Sequence, residues 1–225
     1  MERGAGRGGE RVDGGARHPP PRLDAKKKTL AATERDEAAR EQYRARVKGR
    51  QADDFVVVDE CGANLDLTPR YARAPRGQRA HGAVPRNTPP ATTLLAALTT
   101  AGMGPALTLA GAADRAVFEG YVEHVLAPSL RPGQVVVLDN LAAHKGGRVQ
   151  ALIQARDCEL WYVPAYSPDL SPIEQAFAKI KEALRRAGAR VAEALEHAIA
   201  EALDSVAAHE AEAFFTHCGY GTEAQ

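Results

Sequence analysis

Two short runs constrain this chain more than anything else in it. Phe55-Val56-Val57-Val58 and Val135-Val136-Val137-Leu138 are wholly apolar and rich in β-branched side chains, and each is followed at once by an aspartate, Asp59 and Asp139. A strand with one wet face alternates apolar and polar residues, whereas a strand without alternation has both faces covered. The two runs therefore predict the interior of a mixed or parallel sheet with helices on both sides. Leu160-Trp161-Tyr162-Val163, stopped by Pro164, is a third run of the same kind. Ahead of the second run, Asp114 is placed to cap a helix in which Val117, Phe118, Tyr121, Val122, Val125 and Leu126 recur at helical spacing until Pro128. Residues 147–156 predict another helix between the second and third runs. After Pro172 the pattern is helical throughout, with Ile173, Phe177, Ile180 and Leu184 on one face up to Gly188. Val191, Leu195, Ile199, Leu203 and Val206 make the next face. The order of elements implies an α/β fold, a central mixed sheet flanked by helices with a helical C-terminal region.

One stretch is long enough to cross a bilayer: residues 87–113 hold 27 positions without a charge. Pro89, Pro90, Gly102, Gly104 and Pro105 interrupt it. The expectation is a hairpin, with strands at 91–100 and 106–110 around a Gly102-Met103-Gly104-Pro105 turn, and no membrane partner.

Basic and acidic side chains number 29 each, but residues 1–50 carry a net charge of +6 and residues 51–225 a net charge of −6. Residues 1–25, rich in Gly, Pro and Arg, read as a disordered basic tail that favours polyanions without specificity. Residues 26–52 read as a charged linker, helical over 31–48 but with little apolar face. The folded domain is expected over 53–220, followed by a short tail at 221–225. Cys61, Cys158 and Cys218 are odd in number and far apart, which excludes a disulfide framework and a Cys-x-x-Cys zinc pair. With no secretory signal at the front, a reducing, cytoplasmic compartment is expected.

The chemistry is concentrated in carboxylates. If the first two runs are parallel neighbours, Asp59 and Asp139 leave the sheet at the same edge, where α/β ligand sites form. Two close carboxylates repel one another, and oxygen ligands suit Mg²⁺ or Mn²⁺ rather than zinc. The competing reading makes each aspartate a polar strand terminator. In Ser171-Pro172-Ile173-Glu174 the serine and proline mark a helix start and place Glu174 in its first turn. That spacing is also a capping box, in which Glu174 would reach back to the Ser171 amide. The residues alone leave both alternatives open.

Three segments taken together resemble a known family. They are Val57-Val58-Asp59-Glu60, then Val137-Leu138-Asp139-Asn140-Leu141-Ala142-Ala143-His144-Lys145, then Val163-Pro164-Ala165-Tyr166-Ser167-Pro168-Asp169-Leu170-Ser171-Pro172-Ile173-Glu174. The chain is similar over residues 26–220 to the mariner-like bacterial insertion-sequence transposases. Thirty-four residues separate Asp139 from Glu174, the spacing that this family shows. The resemblance implies an RNase H-like fold in which Asp59, Asp139 and Glu174 bind two Mg²⁺ ions, with Mn²⁺ as a substitute and no small-molecule cofactor. It implies DNA strand cleavage and strand transfer in cut-and-paste transposition, acting as a homodimer on transposon ends and target DNA. Ser171 stands where the family usually has Asn, and Ala165 where a second Pro is common. The helix-turn-helix modules that family members carry are not recognisable in residues 1–24, so an N-terminally truncated transposase is expected. The alternatives are a remnant that binds DNA or inhibits an intact transposase, and an RNase H-like nuclease acting on hybrids.

Substrate charge is expected to be met by Arg70, Arg73, Arg76, Arg79 and Arg86, which lie in a stretch between Asp66 and Asp114 that holds no acidic residue. Asn140, His144 and Lys145 match the family motif and are candidates for orienting phosphate. Lys179, with Lys181, Arg185 and Arg186, is a candidate for a second track along the helix that carries Glu174, against the alternative of a solvated face. Glu60 is expected on the opposite strand face from Asp59, paired with a basic side chain, and Cys61 as a small core residue.

Overall fold

The computed structural model describes residues 32–87, 89–140 and 146–221. Its sheet has five strands: β1 (Phe55–Ala63), β2 (Thr92–Thr99), β3 (Gly102–Ala110), β4 (Val135–Leu138) and β5 (Glu159–Tyr162), in the spatial order β3-β2-β1-β4-β5. β1, β2 and β3 pair antiparallel, and β1, β4 and β5 pair parallel. The two unalternating runs thus lie side by side as β1 and β4 in the middle of a mixed sheet. Six α-helices accompany it among the described residues: α1 (Glu37–Lys48), α2 (Arg115–Tyr121), α3 (Gly147–Gln154), α4 (Pro172–Ala187), α5 (Ala192–Asp204) and α6 (Ala208–His217).

Alternation along the strands divides the core in two. Phe55, Val57, Cys61 and Ala63 of β1 and Val135 and Val137 of β4 pack with Ile173, Phe177 and Ile180 of α4 and with residues of α1, α5 and α6. Val56, Val58, Val136 and Leu138 point the other way, toward Phe118 and Tyr121 of α2 and Val149 and Ile153 of α3. Asp114 caps α2 as its position predicts, accepting from the Val117 amide. The chain then passes through one wider, π-type turn at Val122–Leu126 before Pro128. No helix among the described residues is long and apolar enough to cross a membrane.

Three expectations are corrected. First, β1 runs five residues past Val58, because its antiparallel pairing with β2 continues from Val57↔Leu98 to Ala63↔Thr92. Asp59 therefore sits inside a strand and does not end one. Second, the hairpin turns at Thr100 and Ala101, and Gly102-Met103-Gly104-Pro105 belongs to β3. Proline has no amide hydrogen, and β3 is an edge strand where that loss is tolerated. Third, residues 37–48 of the expected linker are part of the core. Tyr43 and Val47 are buried in the α4-side cluster, and Arg40 is 1% exposed. The helix has only two large apolar residues, Tyr43 and Val47, and both face inward, while Ala38 and Ala45 are exposed.

Gly102 ties the hairpin to the helical layer. Its φ is +119°, and a Cβ there would stand 2.8 Å from the carbonyl oxygen of Val206, between α5 and α6. Backbone oxygen cannot yield as a side chain would. Gly102→Ala is expected to destabilise the fold by about 1–3 kcal/mol, read as a lowered urea midpoint at unchanged slope.

Candidate active site

Strand parity decides where the aspartates go. Phe55 and Val57 lie on the α4 face of β1, and Val135 and Val137 on the same face of β4, so period-two alternation directs Asp59 and Asp139 to that face too. The parallel register pairs Phe55 with Val135 and Val57 with Val137. Two residues further on, it brings Asp59 level with Asp139. Glu174 arrives from the helix that covers this face, in the first turn of α4. The three carboxylates line one open cavity of ≈570 Å³, together with Asn140, Ser171 and the Val163–Pro168 segment. Ser171 adopts the extended backbone of an N-cap, but its side chain caps nothing, and the Glu174 amide bonds the Ser171 carbonyl at 3.2 Å. The capping-box reading is set aside: the Glu174 side chain faces the cavity.

This arrangement lies within a sequence match. A family model described as "DDE superfamily endonuclease" matches residues 54–196. The chain belongs to the DDE superfamily endonucleases. Among curated proteins, the transposase of the transposable element Tcb1 from Caenorhabditis briggsae is 32% identical over 87 residues, which are 37% of this chain and 32% of that protein. Among solved structures, the Mos1 transposase paired-end complex with the left transposon end superposes with a TM-score of 0.71 at 19% identity, covering 88% of this chain and 64% of that one. The Mos1 transposase catalytic domain with raltegravir and Mg superposes with a TM-score of 0.61 at 16% identity, covering 81% and 87%. The fold is therefore the RNase H-like fold of transposase catalytic domains. This chain spans about a third of the length of the Tcb1 protein and less than two thirds of the Mos1 chain in the paired-end complex.

The candidate donor set is chemically uniform. Asp59, Asp139 and Glu174 offer carboxylate oxygens alone, which would suit a hard divalent cation. As they stand, no three acidic, histidine or cysteine side chains among the described residues converge closely enough to hold an ion. Asp59 accepts a hydrogen bond of 2.7 Å from the Glu60 amide, which orients its carboxylate. Glu60 lines the same cavity, and among the described residues no basic side chain forms an ion pair with it, contrary to expectation. Burial pushes the thiols of Cys61 and Cys158 up, and that of Cys218 up to about 11, so none of them is a thiolate nucleophile at neutral pH.

The loop between β5 and α4 is tightly held. Tyr166 takes φ +57°, a left-handed conformation uncommon for a bulky side chain, and stands at the cavity wall with its ring largely exposed. Ser167 is buried and donates to the Ala165 carbonyl at 3.1 Å. A short 3₁₀ turn, Pro168–Leu170, leads into α4. Its Asp169 receives both guanidinium nitrogens of Arg40, at 2.9 and 2.7 Å. Arg40 Nε lies 3.3 Å from Glu37 but is not aligned to donate to it. The Arg40 hydrogen bonds hold the Asp169 carboxyl below its ordinary range. A lowered carboxyl value stabilises the fold fully above the unfolded value of 3.8, and the gain is lost as pH falls through the lowered value. The pair is thus intact throughout neutral pH. Tyr220 donates to the Leu170 carbonyl at 3.0 Å, and Tyr43 donates to the Tyr220 hydroxyl at 2.6 Å. Burial pushes the Tyr43 phenol up to about 12, so it remains a donor.

The expected DNA contacts divide. Arg70, Arg73, Arg76, Arg79 and Arg86 are all exposed on the irregular segment between β1 and β2, with Tyr71 91% exposed among them. Asn140 is exposed at the cavity. His144 and Lys145 lie outside the described residues. Lys179 is engaged within the protein, bridging α4 to α6 by donating to the Ser205 carbonyl at 2.6 Å and pairing with Glu210. Arg185 and Arg186 both lie within ion-pair distance of Glu182, which weakens the expected second track further.

Proposed function

We propose that this chain is the catalytic domain of a transposase, cutting DNA strands by metal-dependent hydrolysis and joining a 3′-hydroxyl to target DNA by transesterification. The observation that carries this reading is the single cavity shared by Asp59, Asp139 and Glu174 within the span matched to the endonuclease family. A cavity lined by carboxylates repels a phosphodiester, so the substrate can enter only if cations stand between them. The Mos1 complexes solved with Mg and with Mn support such cations in a domain of this fold.

Asp59, Asp139 and Glu174 would hold two Mg²⁺ or Mn²⁺ ions. When bound, these ions supply activation of the attacking oxygen and neutralise charge on the leaving one. The chain's own residues do the rest. The sheet edge fixes Asp59 and Asp139 on two adjacent strands, and α4 brings Glu174 against them from the covering layer. Asn140 offers an amide to a non-bridging phosphate oxygen. The exposed arginines between β1 and β2 take the DNA backbone, because guanidinium groups bind phosphate bidentately. No side-chain nucleophile is needed, which agrees with the protonated cysteines. Action as a homodimer on paired DNA ends belongs to the same proposal.

The test is nicking of supercoiled plasmid by the full chain in Mn²⁺, with a chelator arm and an RNA–DNA hybrid arm. Metal-dependent nicking of duplex DNA upholds the reading; cleavage confined to the hybrid would reassign the chain as a hybrid nuclease. For the arginine segment, replacing all five residues by Gln is expected to make the slope of log affinity against log salt shallower by roughly 4.5 if each meets one phosphate, since each phosphate contact contributes about 0.9. Fluorescence anisotropy with a labelled duplex between 50 and 300 mM salt (about the range where counterion release is readable) measures it. An unchanged slope would remove these arginines from the interface.

A further inference from the structure

The family match begins at Asp54 and ends at Glu196, yet the turn that launches the Glu174 helix is held from outside that span on both sides. Arg40 and Tyr43, on the inward face of α1, are three residues apart and therefore neighbours on one side of a helix. Arg40 grips the Asp169 side chain with a two-pronged ion pair, and Tyr43 reaches the Leu170 carbonyl through the Tyr220 hydroxyl. Arg40 and Tyr220 are each 1% exposed. A guanidinium buried this deeply is costly unless its geometry is well satisfied, so the pair is a specific device and not a surface accident.

We infer that Arg40 and Tyr43 are positioning residues for Glu174, acting through the Pro168–Leu170 turn. The inference rests on the reading of Glu174 as a metal-binding carboxylate. The route is short and continuous. The Leu170 amide bonds the Ser167 carbonyl, the Ser171 amide bonds the Pro168 carbonyl, and the Glu174 amide bonds the Ser171 carbonyl, at 3.0, 3.0 and 3.2 Å. Moving Asp169 or Leu170 therefore moves the first turn of α4. Packing of Ile173, Phe177 and Ile180 against the sheet sets where the helix axis lies. The turn sets where along that axis Glu174 begins. Metal-dependent chemistry at phosphorus is sensitive to displacements well under an ångström. α1 thus belongs to the catalytic apparatus although none of its side chains lines the cavity.

The experiment compares the full chain with its Asp169→Asn, Arg40→Gln and Arg40→Lys variants, following hydrogen exchange of the 167–177 segment and nicking at saturating Mn²⁺ and DNA. Asp169→Asn keeps an oxygen for the Arg40 guanidinium but removes the counter-charge of a buried cation. Thermal melts therefore establish that each variant is folded, and Arg40→Lys, which keeps the charge pair, is the second variant. For Asp169→Asn, local exchange is expected to accelerate and turnover to fall, each by about tenfold or more given the strength of a two-pronged charged hydrogen bond. The DNA concentration for half-maximal rate stays unchanged. Arg40→Lys, which keeps the charge but loses the fork, falls between the parent and Arg40→Gln. Unchanged exchange in Asp169→Asn overturns the inference, and so does a loss of DNA affinity that accounts for the slower nicking. If the parent itself does not nick, the transposase reading fails, and exchange alone then decides whether α1 holds the turn.

Discussion

Nicking in Mn²⁺ by Asp139→Asn, Asp59→Asn or Glu174→Gln protein is expected to fall by roughly three orders of magnitude or more, since cation-mediated stabilisation of the transition state is worth several kcal/mol. Each change keeps the shape of the side chain and removes its charge, so the loss is not one of packing. Asn at position 59 can still accept from the Glu60 amide, as Asp59 does. Thermal melts in chelator, run beside the nicking assay, separate a lost site from a lost fold. A neutral variant that retains more than a tenth of the parent rate would remove that residue from the metal-binding set.

The second large effect concerns a residue far from the cavity. Tyr43→Ala is expected to cost about 3–5 kcal/mol, the range for truncating a buried aromatic residue. Tyr43 is 4% exposed and packs edge-on against Trp161 and Tyr220, with ring centroids 6.5 and 6.4 Å away. Phe55 joins the same cluster, 5.6 Å from Trp161 and 4.8 Å from Tyr220. An alanine leaves a hole beside the three remaining rings that cannot collapse without moving β1. Tyr43→Phe keeps the rings and loses only the hydroxyl, for about 1 kcal/mol, because Tyr220 still donates to Leu170. Urea unfolding of the pair decides. Similar midpoints for Ala and Phe would mean that α1 contributes little packing, as its composition alone implies.

That composition explains what was and was not legible in the sequence. β1 and β4 announce themselves because both faces are covered, so every residue in the run is apolar. Local signals single out the three carboxylates, two where a charge follows an apolar run and one in a helix start. They leave terminator and cap readings open, and only the resemblance of three segments joins them into one set. The inner face of α1 is different. Of its buried residues only Tyr43 and Val47 are apolar, and the third is Arg40, whose partner lies 129 residues away. No local pattern reports such a contact, and a helix with so little apolar surface reads as a spacer. The bridge made by Lys179 is not legible for the same reason: its partners, Ser205 and Glu210, are on later segments. Asp59 looked like a strand end because a charge follows four apolar residues, while the partner that extends the strand, β2, lies beyond the arginine-rich segment. The capping-box pattern at Ser171 and Glu174 was ambiguous because a cap and a ligand require the same residue types.

The joining of Tyr43 to Tyr220 spans 177 residues and closes on a buried hydroxyl pair. During synthesis Tyr43 precedes Tyr220 by 177 residues, so throughout that interval α1 has no hydroxyl to meet and Leu170 lacks its donor. A nascent polypeptide carrying all three carboxylates is therefore still without the brace on the helix that presents the last of them. Closing so large a loop adds entropy cost that only the completed aromatic cluster offsets. The order of synthesis thus delays bracing of the helix that carries Glu174 until Tyr220 has been made.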